Sequence, residues 1–213
     1  MARSIKYFLT GTGFILLLLQ ASCSTQRAIA NYSGDGEIFA MPEGGFVQGG
    51  GGYQVRFERL RLDHPAHLTY RFSGLPKIAW RVNVFFAIDD SREWIDKRQY
   101  ERYQQPSQSG WVRTNHFEFV TYDDLKGTLS MSLKDAKGNV IFDVHHKLSE
   151  FVWSGSKGRP WELYDRDSKM DFTPDSRKEY ILEVGIEPDA ILKDTEGYVL
   201  FRSGGHEGFS FGF

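Results

Sequence analysis

The chain predicts an all-β protein: an antiparallel β-sandwich of about nine to ten short strands, with one short helix in a connecting loop. Three observations carry this. Apolar and polar residues alternate in several segments after Tyr53, the period-two pattern of a strand with one face on a core and one in water. Turn-forming residues separate these segments at short intervals. Val82-Asn83-Val84-Phe85-Phe86-Ala87-Ile88 is almost continuously apolar, as a central strand covered on both faces is.

Taken in order, Tyr53, Val55 and Phe57 alternate with Gln54, Arg56 and Glu58 and open a strand over 53–62. Pro65 turns the chain into a second strand at 66–73, and a third covers 80–88. Ser91 to Gln104, rich in Arg, Glu, Lys and Tyr and followed by Pro106, is the helical candidate. It predicts one or two turns that cover an end of the sandwich, with Trp94, Arg98 and Arg102 on one side. Strands follow at 116–122, 127–134, 139–147, 149–154, 178–187 and 197–202, with a last candidate over 207–213. Leu129, Met131 and Leu133 alternate with Ser130, Ser132 and Lys134. The stretch Lys134 to Asn139 behind them, with Gly138-Asn139 tolerant of positive φ, reads as a hairpin turn. Residues 24–52 read as a tether, because Gly44-Gly45 and Gly49 to Gly52 lose much backbone entropy on ordering. Within it, Glu37 to Met41 is an edge-strand candidate.

The N-terminus has the parts of a secretory signal. Arg3 and Lys6 are followed by a mostly apolar stretch from Phe8 to Leu19, and Gln20-Ala21-Ser22 lead to Cys23. The apolar stretch is shorter than the roughly 20 residues a stable transmembrane helix needs. Cys23 is the chain's single cysteine, so it closes no intramolecular disulfide. Small residues running up to a cysteine in this position resemble the lipobox of bacterial lipoproteins, although Gln20 stands where that family usually has Leu. The resemblance implies cleavage before Cys23, acylation of its thiol, and anchoring by two or three acyl chains, since one chain alone holds marginally. It divides the chain into a signal peptide (1–22), a lipid-anchored Gly-rich tether (23–52) and a β-sandwich domain (53–213). Ser24 after the cysteine implies the outer membrane facing the periplasm. The terminal Phe209-Ser210-Phe211-Gly212-Phe213 is similar to the assembly signal of outer-membrane barrels. Charges at Arg59, Arg61, Arg71 and Arg81 interrupt the lipid-facing rows such a barrel requires.

Losing residues 1–22 takes the formal charge from −2 to −4. A mildly acidic chain without basic runs is a poor nucleic-acid binder. Chemistry-bearing motifs are sparse. His64 and His67 flank Pro65, and His145-His146 are adjacent on a strand and so point to opposite faces. His116 and His206 have no partner at a known ligand spacing, whereas zinc needs three or four convergent ligands. Asp165, Asp167 and Asp171 are the weak metal candidates. They fail the EF-hand pattern, because Lys169, Met170 and Ser176 stand where a ligand, a Gly and a Glu belong. No Gly-x-Ser-x-Gly elbow occurs, and no spacing gives Ser154 or Ser156 a base. No cofactor is expected.

Aromatic residues make up 15% of the chain. Trp153, Trp161 and Tyr164 surround a Gly- and Pro-bearing loop; Trp94 and Trp111 bracket another. Such rings suit interfaces and sugars, or else plug the open ends of a sandwich. The favoured expectation is a non-catalytic envelope lipoprotein. It would contact an envelope protein or a glycan through the loops at 89–111 and 154–177, with Trp94, Trp111, Trp153, Trp161 and Tyr164 as contact residues. It partly resembles small anchored β-sandwich lipoproteins that act as adaptors, a likeness resting on the lipobox and the fold class. Two alternatives are a hydrolase of envelope polymers using carboxylates such as Asp165, Asp167, Glu118 or Glu162, and a calcium-dependent binding module.

Overall fold

The structure, a computed structural model, describes residues 29–40, 52–77, 81–104, 119–156, 158–165, 167 and 170–203. The first sheet orders β1 (Ser33–Gly34), β5 (Ala66–Ser73), β14 (Glu179–Glu187), β9 (Thr128–Asp135) and β10 (Val140–Lys147). The second orders β11 (Val152–Ser154), β12 (Trp161–Tyr164), β6 (Val82–Asp89), β15 (Glu196–Ser203), β3 (Tyr53–Arg56) and β2 (Glu37–Ala40). On this second sheet β13 (Asp171–Phe172) also pairs with β6, and β4 (Leu60–Arg61) with β15. All these pairings are antiparallel. A separate parallel pair joins β7 (Glu93–Ile95) to β8 (Phe119–Thr121), with α1 (Lys97–Gln104) between them in sequence.

The two sheets pack as the sandwich the alternation predicts. Leu129, Met131 and Leu133 of β9 are buried, as are Tyr180, Leu182, Val184 and Ile186 of β14. Opposite them lie Val84, Phe86, Val199 and Phe201 of the second sheet. Phe57 meets Phe201 edge-on at 5.0 Å, and Phe72 meets Phe201 at 5.4 Å, the geometry that ring quadrupoles prefer. Each such fully buried side chain contributes about 1.5–3 kcal/mol. The β9–β10 hairpin forms as expected. Gly138 takes φ +84°, and the Asp135 carboxylate accepts from the backbone N–H groups of Lys137 and Asn139, each at 3.0 Å.

The edge-strand candidate at Glu37 to Met41 forms as β2 (Glu37–Ala40), and residues 29–36, expected in the tether, also pack on the sandwich. Residues 29–40 belong to the sandwich: Ser33 pairs with Ser73 in the first sheet, and Ile38 with Val55 in the second. One short segment thus closes one edge of both sheets. Ala40 pairs with Tyr53, so β2 and β3 lie side by side, and the glycine run over residues 41–51 of the expected tether lies outside the described residues. Gly74 holds the entry point, at φ +72°, where a Cβ would lie 2.0 Å from the Asn31 carbonyl oxygen.

The helix also starts later than expected. Trp94 and Ile95 are buried on β7, and burial of those two side chains outweighs continuation of the helix upstream. Asp96 caps α1 through its carboxylate, which accepts from Gln99 N at 2.6 Å, as an N-cap carboxylate does. The short β12 and β13 fall in the segment read as a loop. Two to four residues carry too little periodicity to show. The expected strand at 116–122 is seen from Phe119. Residues 116–118 and the candidate strand at 207–213 lie outside the described residues.

Candidate functional site

Chain entry and the tryptophans sit at opposite ends of the sandwich. Ser33, Ser73, Glu179 and Asp135 mark the entry end. At the far end Trp94 stacks on Trp153 at 4.8 Å, and Tyr122 on Trp153 at 5.8 Å. Each indole N–H has a partner: Trp94 donates to Asp90 (3.0 Å), Trp153 to the Leu148 carbonyl (2.9 Å) and Trp161 to the Arg92 carbonyl (3.3 Å). Trp94, Trp153 and Trp161 are 2%, 9% and 4% exposed. They plug the end of the sandwich and offer no flat ring to a partner, which corrects their expected role as contact residues. The reason is local. Trp161 pairs with Ile88 and Leu163 with Phe86, and this register turns both side chains inward and turns Glu162 and Tyr164 outward. Trp111 lies outside the described residues.

Asp90 anchors this end. Its carboxylate accepts from Arg92 Nε and Nη2, from the Arg92 backbone N–H and from Trp94. Burial pushes the Asp90 carboxyl up, and the Arg92 and Trp94 hydrogen bonds more than reverse it, so it stays below its ordinary value. An open recess of about 470 Å³ between α1, β8 and the 190–192 turn is lined by residues including Arg92, Tyr100 and Phe119. Arg92, its most buried cation, is already committed to Asp90 and to the Ile191 carbonyl.

The carboxylates singled out in the sequence do not converge. Asp165 is buried, and its Oδ2 has no hydrogen-bond partner. Asp167 is exposed. Asp171 pairs with Arg81 at 3.1 Å, and Glu162 is held by Arg202. Glu118 lies outside the described residues. Among the described residues, no group of three or more His, Cys, Asp or Glu is placed to hold a metal ion. His145 is exposed, whereas His146 packs on Phe151 at 5.6 Å; the two face opposite sides, as adjacent strand residues must.

One surface passed unnoticed in the sequence. On the outward side of the second sheet, Ala87, Tyr198 and Leu200 form an apolar cluster with Phe85 packed against it. Guanidinium groups overlie its rings. Arg56 lies 5.7 Å from the Phe39 centroid and 5.5 Å from Tyr198; Arg59 lies 5.3 Å from Tyr198, and Arg202 5.2 Å from Phe85. Tyr164, the expected contact residue that does point outward, meets Phe85 edge-on at 6.1 Å. Arg59 is tied to Asp89 (2.7 Å) and Glu196 (3.0 Å). Arg202 is tied to both oxygens of Glu162. Among the described residues Arg56 makes no ion pair; its contacts are the two rings. The legible signal was parity. Phe85, Ala87, Tyr198 and Leu200 occupy the outward positions of β6 and β15, where a half-buried sheet carries polar residues.

No protein-family model and no curated protein matches the chain, so a reading of its function rests on these surfaces.

Proposed function

We propose that this protein is a lipid-anchored lipoprotein of the bacterial cell envelope, on the periplasmic face of the outer membrane, whose β-sandwich is a non-catalytic binding or adaptor domain for an envelope protein or a glycan. The observation that carries the binding part is the outward face of the second sheet. Three guanidinium groups lie over rings there, over exposed Phe39, half-buried Phe85 and buried Tyr198, and two of them, Arg59 and Arg202, are hydrogen-bonded to carboxylates. Arg and aromatic residues with fixed geometry concentrate binding energy at interfaces, because little rotamer freedom remains to be lost. The anchoring part is supported by Cys23 and the signal-like residues before it. Five residues lie between Cys23 and Ile29, where the described sandwich begins, which makes six residue steps. At roughly 3.4 Å per extended residue they reach about 20 Å, so the entry end would stay close to the bilayer and the tryptophan-plugged end would point away.

Metabolic labelling with palmitate tests the anchor. The intact chain takes up label and fractionates with membranes; Cys23→Ser does neither. Continued labelling of Cys23→Ser would overturn the anchor. Cross-linking in intact cells tests the binding part: a photo-reactive residue at position 39 yields adducts, and one at the exposed hairpin residue Lys137 does not.

A further inference from the structure

We propose that the outward face of the second sheet binds a glycan, and that Arg56 is the receptor for a carboxylate on that glycan; this rests on the binding role proposed above and names its ligand class. The face is a mixed one. Across β6, β15, β3 and β2 the register aligns Asn83, Arg202, Gln54 and Phe39 in one row, and Phe85, Leu200, Arg56 and Glu37 in the next. Planar donors and acceptors therefore sit beside the exposed ring of Phe39 and the half-buried ring of Phe85, with Ala87, Tyr198 and Leu200 buried beneath them. That combination suits a sugar, which presents hydroxyl groups at its rim and C–H groups on its faces, better than an apolar helix or a polyanion. Phe39, at 37% exposure, leaves ring surface to stack on.

The arginines divide the work. Arg59 and Arg202 are saturated by Asp89, Glu196 and Glu162, so they brace the face and hold those carboxylates ready to accept from hydroxyl groups. Arg56 is different. It is exposed, lies near the faces of Phe39 and Tyr198, and makes no ion pair among the described residues. A guanidinium fixed in this way offers parallel N–H donors that match a carboxylate two-to-two, which an ammonium cannot do.

The test uses the full chain purified in detergent and titrated calorimetrically with three probes. These are a galacturonic-acid oligomer, the same oligomer fully methyl-esterified, and poly-glutamate as an acidic polypeptide. The acid oligomer binds, and esterification weakens it at least about tenfold, the loss expected for one charge-assisted pair. Arg56→Lys and Arg56→Ala weaken acid-oligomer binding by a similar factor and leave binding of the ester unchanged. Phe39→Ala weakens both saccharides alike. Each variant keeps the parent's thermal midpoint, which separates lost contact from lost fold. Equal affinity for poly-glutamate would make the ligand an acidic polypeptide and overturn the glycan assignment. So would undiminished binding by Arg56→Ala, or no saccharide binding at all. The palmitate and cross-linking results do not depend on these titrations, so failure of the glycan assignment is distinguishable from failure of the anchored binding role.

Discussion

The indoles of Trp94 and Trp153 stack with centroids 4.8 Å apart and planes 22° from parallel, joining β7 to β11 across the far end of the sandwich. Trp153 also donates to the Leu148 carbonyl at 2.9 Å. Trp153→Ala removes the stack and leaves a cavity. A large aromatic truncated in a core costs about 3–5 kcal/mol. Urea unfolding should show a loss in that range. A loss below about 1 kcal/mol would mean that this end is not packed as described.

Asp90 and Arg92 form a pair with side chains only 3% and 18% exposed. Asp90→Ala leaves the guanidinium buried without its counter-charge, for which breaking a buried pair costs about 3–5 kcal/mol. Thermal unfolding at neutral pH checks this. Replacing both residues together should cost less than the sum of the single changes.

Acid should destabilise the fold in a defined window. Asp135 is held at about 2 by its hydrogen bonds from Asn139, with burial opposing them and Lys178 adding to them. Asp90 also lies below its ordinary value. A carboxylate whose pKa is lower in the folded state binds its proton more readily when unfolded. Its contribution is therefore complete above the unfolded value near 4 and lost as pH falls toward the folded one. The thermal midpoint should hold from pH 7 to about 5 and fall between about 4 and 2. Asp135→Asn should make that fall shallower, and an unchanged slope would contradict the Asp135 assignment.

Tyr70 carries a buried hydroxyl group with no hydrogen-bond partner among the described residues, and burial pushes its pKa up to about 12. An unsatisfied hydroxyl contributes nothing and costs desolvation. Tyr70→Phe should be neutral or stabilising by up to about 1 kcal/mol. Destabilisation of that size would show that the hydroxyl is engaged.

Gly74 and Gly138 both have positive φ, at +72° and +84°, but a Cβ on Gly74 would strike the Asn31 carbonyl at 2.0 Å, whereas Gly138 faces open space. Gly138→Ala should cost about 1 kcal/mol, the left-handed penalty alone. Gly74→Ala should cost more and also raise amide exchange at residues 32–36, where β1 and the following turn join the sandwich. Equal costs would contradict the close approach.

Much of the fold was legible because period-two patterning reports which face of a strand is buried. The segments at 66–73, 127–134, 139–147 and 178–187 recur as β5, β9, β10 and β14 within a residue or two. The short β12 and β13 were not legible, since a pattern needs more residues than they contain. Residues 29–36 read as tether because their local signal is weak, whereas the apolar patch at Glu37 to Met41 was legible as an edge strand and recurs as β2. Their place comes from pairing with Ser73 and Val55, partners distant in sequence.

By itself the sequence determined the sandwich class and the β9–β10 hairpin. Each depends only on neighbouring residues and their spacing. Only the tertiary structure decided the fate of the rings. Trp94, Trp153 and Trp161 looked like contact residues in loops, yet strand register turned them inward to close an open end. Register also turned Phe85 and Tyr198 outward, toward arginines from β3, β15 and the segment after β3, and turned Tyr164 outward against Phe85. Parity along a strand shows which residues share a side, but which side faces the core depends on pairing between strands far apart in the chain, and for strands as short as β7, β11 and β12 the local pattern does not carry that information.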